Sequence, residues 1–70
     1  MKQKLVILGA GESGVGAAIL GQQKGYDVFV SDYGSIKDQY AQVLTSSHIA
    51  WEDKGHTVSQ IIAADVVVKS

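Results

Sequence analysis

Seventy residues, 46% hydrophobic and 19% charged, are enough for one small folded domain and exclude a disordered chain. The absence of cysteine excludes disulfides and thiolate zinc sites, and six lysines against seven acids with no arginine argue against a nucleic-acid surface. No apolar run approaches the ~18 residues of a membrane span, so neither a nucleic acid nor a membrane is an expected partner and a soluble, cytoplasmic chain is expected.

The elements alternate between strand-like and helix-like. Leu5-Val6-Ile7-Leu8 is a continuous apolar run, as a strand buried on both faces requires. The glycine-rich Gly9-Ala10-Gly11-Glu12-Ser13-Gly14 follows. Val15 to Lys24 then reads as a helix, with Val15, Ala18, Ile19 and Gln22 on one face and Gly25 at the left-handed position that ends it. Gly16 is expected to extend a small face with Ala17 and Ala18 where this helix meets the sheet.

Asp27 to Ser31 is a second strand. Asp32-Tyr33-Gly34-Ser35 makes a turn, with Ser35 a candidate N-cap for a weak helix over Ile36 to Thr45. His48 to Trp51 reads as a short third strand, and Trp51 and Tyr40 as core residues. A polar turn around Gly55 leads to a short helix that Thr57 can cap, and His56 in that turn is expected to be solvated. Asp65 to Val68 reads as a fourth buried strand.

Strands separated by helices predict an α/β fold: a Rossmann-like parallel sheet with right-handed crossover helices, in the order 3-2-1-4. Ser70 closely follows the fourth strand, leaving nothing to cover it, so residues 1–70 are read as a single N-terminal domain of a larger multidomain protein, truncated after that strand.

Gly9, Gly11 and Gly14 form G-x-G-x-x-G between a strand and a helix. The first allows the tight turn, the second leaves room for a phosphate against the backbone, and the third lets helix and strand approach. The free N–H groups of the first helical turn attract an anion, and the Ser13 hydroxyl adds a donor. The bland alternative is a turn that merely connects two elements. Glu12 is either a stabilising first-turn acid or a repulsive one if it faces the anion. Asp32 ends the second strand about 20 residues past the glycine turn, where such folds place the acid that receives a ribose hydroxyl; an Asx-turn is the alternative. Tyr33 can pack on a base or sugar, or cover the sheet edge. No catalytic arrangement and no metal-ligand spacing is present in the sequence, and there is no G-x-x-x-x-G-K-[ST] loop.

Leu5 to Gly14, Ala17-Ala18, Asp27 to Asp32, Gly55-His56-Thr57 and Ala64-Asp65-Val66-Val67-Val68-Lys69-Ser70 together resemble the start of the Mur ligases, in particular the glutamate-adding branch. The resemblance covers nearly the whole chain. It implies a domain that binds the UDP part of UDP-N-acetylmuramoyl-L-alanine in a cytoplasmic enzyme of peptidoglycan synthesis. Its diphosphate would lie at Gly11, Glu12, Ser13 and Gly14, and its uridine at Asp32 and Tyr33. In the family a small hydroxyl residue and a basic one often follow this aspartate, where this chain has Tyr33 and Gly34. The resemblance places ATP and Mg in a central domain and the incoming amino acid in a C-terminal one. This stretch itself would hold no cofactor and carry no catalytic residue. A regulatory NAD-binding module and the first half of an NAD-dependent dehydrogenase share the strand, the glycine turn and the acid, and remain open at this point.

Overall fold

The computed structural model describes all residues from Met1 to Ser70. Four strands, β1 (Lys4–Leu8), β2 (Asp27–Ser31), β3 (Ala50–Glu52) and β4 (Val66–Lys69), alternate with three helices, α1 (Glu12–Gln23), α2 (Asp38–Ser46) and α3 (Val58–Ile62). All strand pairs are parallel and the sheet order is β3-β2-β1-β4, as predicted. Leu5 pairs with Val28 and Val66, and Ile7 with Val30 and Val68, so the buried run of β1 sits at the middle of the sheet.

The two faces of the sheet are covered unequally. Leu5, Ile7, Val28 and Val30 pack with Val15 and Ala18 of α1, Leu44 of α2, and Ile36 and Ile49 at its flanks. The opposite face carries the fully buried Val6 with Phe29 beside it; here the Lys4 ammonium meets Gln60 of α3 and lies 5.9 Å from the centre of the Phe29 ring. At the start of β4 the Lys4 N–H donates to Asp65 Oδ2 at 2.7 Å and the Asp65 N–H to the Lys4 carbonyl at 2.9 Å.

Several local expectations are corrected. The glycine that brings α1 onto the sheet is Gly21, where an added Cβ would lie 2.5 Å from Leu5 Cδ2; Gly16 is exposed and a Cβ there meets nothing. Helix α1 begins at Glu12 and buries Gly14, Val15, Ala18 and Gly21, while Gln22 is exposed and spans to the Ser47 carbonyl at 2.7 Å. Gly25 does take the left-handed conformation after the helix, at φ 92°. Ser35 caps nothing: α2 starts two residues later than expected, behind Lys37, because Ile36 is drawn into the core and its N–H goes to Asp53 Oδ2 at 3.1 Å. Thr57 precedes α3, but its hydroxyl is given to Glu52 instead of the helix.

The β4 valines, expected to be buried, are exposed at 37–45%. They form the sheet edge, and Val58 and Ile62 of the five-residue α3 also point to solvent, so neither face of β4 is covered. Tyr40 and Trp51 are half-buried against the core, the Trp51 indole donating to Thr45 Oγ1 at 3.0 Å. No helix is long and apolar enough to cross a membrane.

Candidate functional site

The candidate residues gather at the carboxyl edge of the sheet, where β1 and β4 flank the point at which the strand order reverses. Open α/β sheets bind ligands in this crevice. Gly9 leaves β1 at φ 105°, and its N–H donates to the Ser31 carbonyl at 2.8 Å. A Cβ on Gly14 would overlap the Gly9 carbonyl oxygen, so the turn closes only with glycine there.

Gly11 is different. Its φ of −82° is open to any residue, and an added Cβ would meet no atom within 4 Å. Nothing within the chain therefore requires glycine at this position; the space in front of it is empty.

Unpaired hydrogen-bond donors follow in the same turn. The first bond of α1 runs from the Val15 N–H to the Gly11 carbonyl at 3.0 Å, and the N–H groups of Gly11, Glu12, Ser13 and Gly14 have no acceptor within the chain. An α-helix leaves such N–H groups unpaired at its start, and with its dipole they favour an anion. Helix α1 has no side-chain N-cap to compete with one. Ser13 is exposed, its hydroxyl 2.7 Å from that of Ser70 at the end of β4, and Glu12 is an exposed first-turn acid.

Asp32 ties the next turn to this one. Its Oδ2 accepts the Ala10 N–H and its Oδ1 the Gly34 N–H, each at 2.8 Å. The second bond is the Asx-turn that was the alternative reading; the first fixes the glycine turn. An ionised carboxylate has about four acceptor sites, so both bonds leave capacity for a ligand hydroxyl. Tyr33, next along, is 81% exposed, so it does not cover the sheet.

Sequence reasoning missed one group. Ser31 is fully buried at the end of β2, with its Oγ 2.8 Å from Glu52 Oε2 and 2.5 Å from His56 Nδ1. Glu52 also receives the Thr57 hydroxyl at 2.6 Å and the Thr57 N–H at 2.7 Å. The Thr57 hydroxyl foremost, then the Thr57 N–H, and behind them the Ser31 hydroxyl and the charge of the His56 ring, hold its carboxyl below the usual value of 4.5 against an opposing effect of burial. His56 is exposed, as expected, but anchored, and its ring centre lies 6.1 Å from that of Tyr33. Four residues from three segments cannot be linked by periodicity; the only signals were Ser31 ending the predicted second strand and Glu52 directly after the predicted third.

Fold and turn define the class, a Rossmann-like α/β domain with a glycine-rich turn at its switch point. Residues 4–70 match the MurD N-terminal domain family, and the chain belongs to it. It is 60% identical over 70 residues to a protein of Christiangramia forsetii named UDP-N-acetylmuramoylalanine–D-glutamate ligase. Proteins of the same name from Bacteroides thetaiotaomicron and Chlorobium chlorochromatii are 56% and 44% identical over 68 residues, 97% of this chain. The chain spans only 14–16% of the length of these three relatives.

Proposed function

We propose that residues 1–70 are the N-terminal domain of a ligase that adds D-glutamate to UDP-N-acetylmuramoyl-L-alanine in cytoplasmic peptidoglycan synthesis, and that they bind the UDP part of that precursor. The observation that carries this reading is the family match over nearly the whole chain, with relatives bearing that name. The glycine turn supports the site as an anion cradle. The diphosphate lies against the N–H groups of Gly11, Glu12, Ser13 and Gly14, with the Ser13 hydroxyl as a further donor. The uridine lies over Asp32 and Tyr33.

In this division of labour the domain holds and orients one substrate and supplies no reacting group. The other parts of the polypeptide, its central and C-terminal domains, bind ATP with Mg and the amino acid. ATP phosphorylates the precursor's carboxylate, and the D-glutamate amine then displaces phosphate to form the amide. The test is the full-length protein with precursor, D-glutamate, ATP and Mg. Formation of the glutamyl product with one ADP and one phosphate supports the reading; no product with D-glutamate under any of these conditions refutes it.

A further inference from the structure

Behind the proposed nucleoside turn, Ser31, Glu52, His56 and Thr57 form one bonded unit. A serine hydroxyl has a single proton. Glu52, held in its ionised form by Thr57, can only accept, so the Ser31 proton goes to its carboxylate and the His56 Nδ1–H donates to the Ser31 oxygen. The His56 ring is thereby anchored through a fully buried group.

The chain between Glu52 and Thr57 holds the nucleoside turn in place. The Gly55 N–H donates to the Asp32 carbonyl at 3.2 Å, the Lys54 N–H to the Gly34 carbonyl at 2.7 Å, and Asp53 Oδ2 accepts the Ile36 N–H at 3.1 Å. This loop passes through left-handed Lys54 at φ 62°, a conformation that is unfavourable for a residue with a Cβ, so it needs ties at its ends. Glu52 ties both: its backbone carbonyl accepts the Asp32 N–H at 3.1 Å, and its side chain holds Thr57.

We propose that Glu52 is a positioning residue for the nucleoside half of a uridine diphosphate ligand: through Thr57, Ser31 and His56 its carboxylate holds the 53–57 loop against the Asp32–Gly34 turn and sets the His56 ring beside Tyr33. This rests on the function proposed above. Glu52 acts through its neighbours, and its carboxylate makes no bond to the glycine turn.

The test uses the full-length protein and the variant Glu52→Gln, which keeps the shape but turns one acceptor into a donor facing other donors. The expected result is a KM for the UDP precursor raised about tenfold, the scale of one lost charge-assisted bond, with kcat and the KM for ATP within about twofold of wild type. Thr57→Val removes one donor to the same carboxylate and is expected to shift the same KM in the same direction by less, which keeps the test open if Glu52→Gln does not fold. A folded Glu52→Gln with unchanged KM for the precursor overturns the inference, as does an equal effect on kcat and on the KM for ATP. If Glu52→Gln does not fold, an unchanged KM in Thr57→Val overturns it. Wild-type protein that binds no uridine diphosphate ligand refutes the proposed function and this inference together; wild-type binding with unaltered variant binding refutes the inference alone.

Discussion

Gly11→Val separates a turn that serves a ligand from one that only connects β1 to α1. The backbone at Gly11 is already in a conformation valine accepts, at φ −82° and ψ −164°, and a Cβ there meets nothing within 4 Å. Two small effects on stability oppose each other. Valine is a poorer N-cap residue than glycine, by up to about 1 kcal/mol, while replacing glycine restricts the unfolded chain and returns ~0.4–1 kcal/mol. The folded protein is therefore expected to stay within about 1 kcal/mol of wild type. Binding has no such compensation, because the isopropyl group occupies the space in front of the free N–H groups. Hydrogen bonds to a charged group are worth about 1.5–3 kcal/mol each, so losing two weakens the precursor by roughly 100-fold or more. The assay is KM for the UDP precursor in the full-length protein, with thermal unfolding and circular dichroism as folding controls. A well-folded Gly11→Val with normal KM would refute the cradle and leave the turn purely structural.

Gly14→Ala is expected to fail differently, lowering the unfolding temperature, since its Cβ would overlap the Gly9 carbonyl oxygen. Ser13→Ala is expected to raise KM less than Gly11→Val, because one neutral hydroxyl bond is worth ~0.5–1.5 kcal/mol and the N–H groups remain; a larger effect than Gly11→Val contradicts the assignment. Asp32→Ala is expected to weaken binding of the nucleoside half more than that of pyrophosphate, which it weakens only indirectly by removing the acceptor of the Ala10 N–H in the glycine turn, read by calorimetry. Because the Glu52 carboxyl titrates below its ordinary value of 4.5 in the folded chain, its stabilising effect is present above that value and is lost as the pH falls through the folded one. Acid unfolding of Glu52→Gln is then expected to show a weaker dependence on pH in that window than wild type, followed by circular dichroism.

Much of this architecture was legible because it is written in contiguous patterns. The apolar run of β1, the bounds of β2 at Asp27 and Ser31, and the glycine spacing each depend on neighbours in sequence, and together they predicted the sheet order found. The errors arise where tertiary contacts override local preference. Ser35 is a good capping residue, but burial of Ile36 moves the start of α2 past it. Gly16 and Gly21 look alike in sequence; only the position of Leu5 in space decides which one lets the helix approach. The β-branched run of β4 reads as a buried strand, yet its place at the edge leaves it exposed. The Ser31–Glu52–His56 unit joins residues more than 20 positions apart and has no local signature.

The ligand proposed for this switch point is a uridine diphosphate, although the same glycine turn and acid also occur in NAD-binding folds. Calorimetric titration of the full-length protein with UDP-N-acetylmuramoyl-L-alanine and, separately, with NAD compares the two directly. Tighter binding of the UDP precursor, abolished in folded Gly11→Val, is the expected result; tighter binding of NAD would refute the proposed ligand.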